Sequence, residues 1–175
     1  MFRRDPFANP EPLIRRVYAY VAYRIGSGPD AEDVTSDVFE RALRYRESYD
    51  ARRGDAAAWL IGIARNCIQD FQRERVVTHG QPSENPDPAD VEGETVRRLM
   101  LGRALARLSG SERELIALRF GADLTARQIA DVLEMRTNAV EVALHRALAR
   151  LRGILGENPD AETTNPVPAV GDKFG

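Results

Sequence analysis

One stretch of the chain, residues 78–94, constrains the fold more than any other feature because it cannot form a buried core. This segment, "THGQPSENPDPADVEGE", holds three prolines and five acidic residues and almost no large apolar side chain. Such a composition buries too little apolar surface to offset the entropy of ordering the chain. The tail from Gly156, "GENPDAETTNPVPAVGDKFG", has the same character. We therefore expect two ordered blocks, residues 10–77 and 95–155, joined by a flexible acidic linker over 78–94 and followed by a disordered tail over 156–175.

Both blocks carry apolar residues at helical spacing, and neither shows a convincing alternating strand pattern. The first block predicts three helices, and Asp55 is placed to cap the third. The apolar stripe of that third helix comprises Leu60, Ile63, Ala64, Cys67, Ile68 and Phe71. In the second block, a first helix is predicted through Leu99 and Leu108. Capping boxes at Ser111–Glu114 and Thr125–Gln128 then predict the starts of two further helices, the former ending at Gly121.

A tight turn near Met135 precedes the last predicted helix, whose stripe comprises Val140, Leu144, Leu148 and Leu151. A four-helix unit with such a turn is typical of a helix-turn-helix domain, although other helical hairpins share this turn. We therefore predict an all-α fold of two small helical domains.

The charge of the chain is segregated, although the net charge is only −2. Residues 41–77 carry +3 and residues 97–155 carry +5, whereas 11–40 carry −3 and 78–96 carry −5. A polyanion responds to the local field within about 10 Å at ordinary salt rather than to the total charge. The pattern therefore allows two separate contacts with nucleic acid and an acidic surface for a different partner.

The second predicted helix, "DAEDVTSDVFERAL", carries an acidic stripe beside its apolar stripe. Asp30, Asp33 and Asp37 recur at i, i+3 and i+7, where like charges repel each other modestly. Two interpretations follow: a solvated face with acids favoured near the helix N-terminus, or a docking surface for a basic partner. Periodicity alone favours the solvated face.

The outer face of the third predicted helix and the loop before it hold groups suited to nucleic acid. The helix face comprises Arg65, Asn66, Gln69, Asp70 and Arg73. The loop presents Tyr49, Arg52 and Arg53, and Trp59 opens the helix. Asn and Gln pair with adenine and Arg with guanine or phosphate, and aromatic rings beside arginines can stack on unpaired bases. For Trp59, a packing role is at least as well supported.

The sequence shows no catalytic or metal-binding constellation. His79 and His145 are isolated, the single cysteine Cys67 lies on an apolar stripe, and there is no Gly-rich phosphate loop. No apolar run approaches the roughly eighteen residues of a membrane span, and the first residues lack a secretory apolar region. We therefore expect a cytoplasmic protein that is not an enzyme, binds no metal or cofactor and does not insert into membranes.

Four segments, taken in order, resemble the extracytoplasmic-function (ECF) group of bacterial RNA polymerase sigma factors. They are "DAEDVTSDVFERAL", "AWLIGIARNCIQDFQR", "ALARLSGSERELIALRFGADLTARQIADVL" and "LHRALARLR". The resemblance implies that the first block is sigma domain 2, a three- or four-helix bundle, and that the second is sigma domain 4, a helix-turn-helix. Core RNA polymerase and promoter DNA are the implied partners, and an anti-sigma factor is left open as a third.

The resemblance also implies site residues. The acidic helix would dock on the polymerase clamp through Glu32, Asp33 and Asp37. The −10 element would be opened and held by Tyr49, Arg52, Arg53, Trp59, Arg65, Asn66, Gln69, Asp70 and Arg73. The −35 element would be read by Arg127, Arg136, Thr137, Asn138, Glu141, His145 and Arg146, while the same domain contacts the polymerase flap. The implied function is promoter-specific initiation of transcription, and the alternative is a stand-alone helix-turn-helix regulator.

The last helix departs from the pattern of the resembled family. Members often carry a Gly-Thr-Val-Lys-Ser-Arg type of run where this chain has "NAVEVA", residues 138–143. Glu141 would repel a phosphate but can accept a hydrogen bond from cytosine N4. Glu134 stands where a turn glycine is common. We therefore expect an unusual −35 preference or weak −35 binding.

Overall fold

The computed structural model describes Asp5, residues 7–79 and residues 95–156, and within these residues the fold is α-helical without a strand. The first block forms α1 (Pro10–Ile25), α2 (Pro29–Arg44) and α3 (Ala56–His79). The second block forms α4 (Thr95–Ala106), α5 (Gly110–Ile116), α6 (Ala126–Leu133) and α7 (Thr137–Gly156). The prediction of an all-α fold is confirmed. Residues 157–175 of the predicted tail and residues 80–94 of the predicted linker lie outside the described residues.

Local signals account for the helices of the first block. Prolines occupy the first turns of α1 and α2, where a missing backbone N–H costs nothing. The Asp55 carboxylate accepts a hydrogen bond from the Ala58 N–H at 2.8 Å, so the predicted cap of α3 is confirmed. The buried face of α3 includes Leu60, Ile61, Ala64, Cys67 and Ile68. Ile63 and Phe71, predicted on the same stripe, are only partly buried.

The predicted capping box at Ser111–Glu114 is wrong. The observed box lies two residues earlier, where the Ser109 hydroxyl accepts from the Glu112 N–H and the Glu112 carboxylate accepts from the Ser109 N–H at 2.8 Å. The run "SGSERE" contains two overlapping Ser-x-x-Glu patterns, and α5 begins at the first. Glu114 is therefore released from capping and is buried. The box at Thr125–Gln128 is confirmed.

The end of α4 also differs from the prediction. The helix ends at Ala106, and Leu108 lies in the following turn, where it is buried. The Arg113 guanidinium donates to the carbonyl oxygens of Leu105, Ala106 and Leu108 at 2.9–3.2 Å. These bonds satisfy carbonyl groups that the helix end leaves without an intrahelical partner.

A π-helical segment, Ala117–Gly121, continues α5 and packs against α1. A Cβ atom on Gly121 would lie 2.8 Å from the Tyr20 Cα atom, so only glycine permits this approach of the two backbones. The turn between α6 and α7 contains Glu134 in the left-handed conformation, with φ 54°. A non-glycine residue there costs about 1–2 kcal/mol, which the packing of α6 and α7 must offset.

The two blocks share one hydrophobic core. It contains Val17, Tyr20 and Val21 of α1 together with Leu118, Leu124 and Ile129 of the second block. A smaller cluster, which includes Leu105, Leu108, Ile116, Ala147 and Leu151, lies mostly within the second block. Arg16 adds polar contacts by donating to the carbonyl oxygens of Ala122 at 2.6 Å and Asp123 at 3.1 Å. The blocks are therefore packed against each other, and not only joined by the chain.

Candidate nucleic-acid interface

The acidic face of α2 divides into paired and unpaired carboxylates. Glu32, Asp33 and Asp37 are exposed, and none of the three forms an ion pair with another described residue. Asp30 differs, because its carboxylate binds the Arg75 guanidinium of α3 at 2.8 Å. The three predicted docking residues thus form an open acidic surface, while Asp30, the first acid of the stripe, ties α2 to α3.

The outer face of α3 presents most of the predicted polar groups together. Asn66, Gln69, Asp70 and Arg73 are exposed along it. Asp70 is held by Arg41 of α2 at 2.8 Å, and this hydrogen bond raises the pKa of Arg41. The Asp70 carboxylate is therefore held by Arg41 and is less available to DNA than a free carboxylate would be. Cys67 lies behind this face, and burial raises the pKa of its thiol, which agrees with a packing role.

Arg65 does not join this open face. Its Nη1 atom donates to the Val132 carbonyl oxygen at 2.9 Å, and its Nε atom lies 3.2 Å from the Glu114 carboxylate. Both partners belong to the second block. Arg65 is thus separated from the other predicted −10 residues by the packing between the blocks.

The loop before α3 carries an aromatic pair beside two arginines. The ring centroids of Tyr49 and Trp59 lie 5.4 Å apart, and the centroid of Phe7 lies 6.4 Å from that of Trp59. Trp59 is half-buried, so it serves packing and still offers an edge to solvent. Arg52 and Arg53 are exposed in the same loop. The structure therefore brings Tyr49 and Trp59 together, and an aromatic surface of this kind can stack on unpaired bases.

The helix-turn-helix of α6 and α7 gathers the predicted duplex-reading residues on its outer surface. Asn138, Glu141 and His145 are exposed at i, i+3 and i+7 of α7, which places them on one helix face. Arg127, Arg136 and Arg146 are exposed and Thr137 is partly exposed. Sequence reasoning missed Val142, whose side chain is exposed on the same face. An apolar side chain there can contact a thymine methyl group, and its position beside Glu141 was the available signal.

A buried ionic cluster joins the two blocks and was not predicted. The Glu114 carboxylate accepts hydrogen bonds from the Tyr20 hydroxyl at 2.8 Å and from Arg24, and lies beside Arg65. Burial raises the pKa of Tyr20 to about 12 and lowers the pKa of Arg24. One sequence signal was available. Glu114, Leu118 and Gly121 stand at i, i+4 and i+7, and this spacing places the Glu114 carboxylate on the same helix face as the apolar Leu118.

A cavity of about 590 Å³ lies beside this cluster. Its lining includes Tyr20, Arg24 and Arg65 of the first block and Leu133 and Arg146 of the second. The described residues contain no group of His, Cys, Asp and Glu suited to hold a metal ion. Among the helices of the described ranges, none is long and apolar enough to cross a membrane.

Family models match both blocks of the chain. The model described as Sigma-70 region 2 matches residues 11–76, and the model described as Sigma-70, region 4 matches residues 98–151. A two-domain helical protein with this pair of regions is a sigma factor of the sigma-70 type. The chain belongs to the ECF RNA polymerase sigma factors, the promoter-recognition subunits of transcription initiation.

Similar proteins carry the same family description. The ECF sigma factor BldN of Streptomyces coelicolor is 33% identical over 81% of this chain and 57% of its own length. RpoE of Cereibacter sphaeroides is 33% identical over 70% of each chain, and SigL of Mycobacterium tuberculosis is 31% identical over 81% of this chain and 83% of its own length. This chain therefore spans just over half of BldN and most of the other two.

Two solved structures share the fold. RpoE from Bartonella quintana, in complex with the anti-sigma factor NepR, superposes with a TM-score of 0.69 at 21% identity. It covers 85% of this chain and 95% of its own. CnrH, in complex with the cytosolic domain of CnrY, superposes with a TM-score of 0.59 at 26% identity, covering 87% of this chain and 83% of its own.

Proposed function

We propose that this chain binds core RNA polymerase in the cytoplasm, directs it to specific promoters and opens the −10 element, without enzymatic activity of its own. In this proposal residues 10–77 act as sigma domain 2 and residues 95–155 as sigma domain 4. The observation that carries the proposal is that one small domain separates two chemically different surfaces. Exposed carboxylates lie along α2, and three of them form no ion pair with a described residue, whereas amides, arginines and an aromatic pair lie on α3 and the loop before it.

The energetics support this division of labour. Extruding a base from the duplex costs a few kcal/mol. Stacking on an aromatic ring returns roughly 1–3 kcal/mol per base, so the Tyr49–Trp59 pair can offset much of that cost. Two DNA contacts on one chain also assist each other through effective concentration once a single polymerase holds both blocks. Neither block then requires high affinity alone, which agrees with the small net charge.

The acidic surface of α2 is the proposed contact with the polymerase clamp. An exposed carboxylate without an internal partner is free to pair with a basic surface, and such pairs contribute more to specificity and association rate than to affinity. Glu32 and Asp33 meet this description, and Asp37 is exposed beside them with an electrostatic contact to Arg41. We also propose an anti-sigma factor as a partner, since the RpoE structure of similar fold contains one.

Reconstitution with bacterial core polymerase tests the function. The purified chain is added to core enzyme, and transcription starts are mapped across bacterial genomic DNA. Starts that share sequence elements near −10 and −35 and require the added chain are the expected result. Absence of such starts contradicts the proposal. Specific duplex binding by the chain alone, together with no effect on polymerase, would instead support a stand-alone regulator.

A matched pair of variants tests the docking surface. Asp33→Arg reverses an exposed, unpaired charge on α2, and Glu11→Arg reverses an exposed charge on α1 that lies 3.6 Å from Arg15. We expect Asp33→Arg to weaken binding to core polymerase at least about 10-fold and Glu11→Arg to leave it within about 2-fold. Equal effects of the two variants would exclude α2 as the docking surface.

A further inference from the structure

The Arg41 side chain connects the two chemically different faces of the first block. It extends from α2, and its Nη1 atom donates to the Asp70 carboxylate on the outer face of α3 at 2.8 Å. The Arg73 guanidinium lies 3.9 Å from the other oxygen of the same carboxylate. Asp37, one turn before Arg41 on α2, attracts the same guanidinium but forms no ion pair with it in the described structure. Asp70 therefore stands between two arginines, of which Arg41 is the closer.

The Arg73 side chain remains available for another anion. Hydrogen bonds to charged groups have donor–acceptor distances of about 2.7–3.2 Å, so 3.9 Å is too long for one. The Arg73 side chain is 77% exposed, whereas that of Arg41 is 37% exposed. Arg73 is therefore attracted to Asp70 without being bound by it, and its donors point to no other described residue.

The ion pair between Arg41 and Asp70 contributes little to the packing of α2 against α3. Both partners are partly exposed, and ion pairs of this kind stabilise a fold only slightly. A shared hydrophobic core, to which α2 contributes Val34 and Val38 and α3 contributes Ala64, packs the two helices together without it. The main effect of the pair is therefore on the charge of the outer face of α3.

The charge of Asp70 matters because of its place on that face. Asn66, Asp70 and Arg73 stand at i, i+4 and i+7, so they share the face proposed to hold the −10 strand. A carboxylate without a partner there would repel the phosphates, and it would also draw the neighbouring Arg73 toward itself. Arg41 counteracts both effects, because it supplies the compensating positive charge from a different helix.

We propose that Arg41 is a positioning residue for the −10 contact: it neutralises Asp70 and so leaves Arg73 free to bind a phosphate of the unpaired strand. This inference rests on the proposed function and adds a residue of α2 to the surface that holds the −10 element. Arg41 acts through Asp70 and does not itself contact DNA. Binding of the strand therefore depends on Arg41 only while Asp70 carries its charge.

Removal of the Arg41 charge, with a matched control, tests this inference in the full-length chain. Arg41→Gln removes the ion pair with Asp70, whereas Arg44→Gln removes an ion pair with Glu40 at 2.8 Å within α2. Both variants remove one positive charge from the last turn of the same helix. Asp70→Asn and the Arg41→Gln/Asp70→Asn double variant complete a double-mutant cycle. Circular dichroism and thermal denaturation establish whether each variant folds like the parent.

The first measurement is binding of a fluorescein-labelled single-stranded DNA of about 12 nucleotides, followed by anisotropy at several salt concentrations. Each phosphate contact with a single strand contributes about 0.7 to the slope of the logarithm of the binding constant against the logarithm of the salt concentration. At 0.1 M salt this slope corresponds to about 5-fold in affinity relative to 1 M. We expect Arg41→Gln to bind at least about 5-fold more weakly than the parent, with a slope shallower by about 0.7. Arg44→Gln should stay within about 2-fold of the parent with an unchanged slope.

The second measurement separates an action through Asp70 from a direct contact with DNA. In the Asp70→Asn background, Arg41→Gln should change the affinity for the strand by less than about 2-fold. Arg41→Lys keeps a positive charge beside Asp70, so it should bind the strand within about 2-fold of the parent. The affinity of each Arg41 variant for core polymerase should change by less than about 2-fold, because Arg41 is bound to α3 and is not one of the proposed docking residues.

Each alternative outcome overturns the inference. Equal effects of Arg41→Gln and Arg44→Gln would show that only the total charge matters, and an equal loss with and without Asp70→Asn would show that Arg41 contacts DNA itself. A loss in Arg41→Lys as large as in Arg41→Gln would exclude a charge effect. A parallel fall in melting temperature and polymerase affinity would show a structural role, and a parent that does not bind the strand would show that α3 does not hold unpaired DNA.

The outcome of the promoter-mapping experiment is independent of these results. A chain that binds the strand with the expected dependence on Arg41 and Asp70, and yet never supports initiation, would refute the proposed function and not the role of Arg41. Initiation by a chain whose strand binding ignores Arg41 would have the opposite meaning.

Discussion

Replacing Tyr20 by phenylalanine removes one hydroxyl group from the ionic cluster between the two blocks and keeps the ring that fills the core. Tyr20 is fully buried, and its hydroxyl donates to the Glu114 carboxylate at 2.8 Å. A hydrogen bond to a charged group contributes about 1.5–3 kcal/mol. We therefore expect the free energy of unfolding to fall by this amount. For a chain of this size the melting temperature should fall by about 3–12 °C, measured by thermal denaturation at neutral pH.

The same substitution has a pH signature. Burial raises the pKa of Tyr20 from 10.0 to about 12 in the folded state, so the unfolded state releases this proton first. The stability that the neutral hydroxyl contributes is therefore complete below pH 10 and is lost as the pH rises from 10 to about 12. A shift of this size corresponds to at most about 3 kcal/mol. Urea denaturation at stepped pH should show the parent losing stability in this window faster than Tyr20→Phe.

The control is Tyr18→Phe, on the same helix. The Tyr18 hydroxyl forms no hydrogen bond to another described residue, so its removal should change the free energy of unfolding by less than about 0.5 kcal/mol. Titration of Tyr23, whose pKa burial also raises, is common to all three proteins and cancels in the comparison. If Tyr20→Phe and Tyr18→Phe match in both melting temperature and pH dependence, the buried hydroxyl does not stabilise the contact between the two blocks and the reasoning is refuted.

Three further predictions concern other parts of the chain. Asn66→Ala should reduce open-complex formation by about 10-fold, measured by permanganate reactivity of the −10 region, while polymerase binding changes less than 2-fold. Equal losses of the two activities would indicate a folding defect. Glu141→Lys should strengthen non-specific duplex binding, measured by fluorescence anisotropy. The slope of the logarithm of the binding constant against the logarithm of the salt concentration should become steeper by about one. An unchanged slope would place Glu141 away from the phosphates. Ser109→Ala should lower the free energy of unfolding by about 1 kcal/mol, because it removes the observed N-cap of α5, and Ser111→Ala should lower it by less than half of that. A larger loss for Ser111→Ala would show that the capping box lies at Ser111 and Glu114, as expected from the sequence.

Local patterns determined most of the secondary structure and part of the candidate interface. The cap at Asp55, the capping box at Thr125 and Gln128, and the exposed acids of α2 could all be predicted. Periodicity and capping depend on residues at most a few positions apart, so they are legible in the sequence itself. Where two local signals overlapped, as in "SGSERE", local reasoning could not choose between them.

Only the tertiary structure decided what Glu114, Arg65 and Gly121 do. Glu114 and Tyr20 are 94 positions apart, and Arg65 and Val132 are 67 positions apart, so no periodicity connects them. Arg65 shares its helix face with Asn66 and Gln69 in the sequence pattern, yet the fold turns it toward the second block. The sequence by itself predicted two helical blocks, the first with an acidic helix face and a separate face of amides and arginines. The contact of the blocks through a buried carboxylate depends on side chains that meet only after the helices pack, because complementarity between residues this far apart in the chain leaves no local signal.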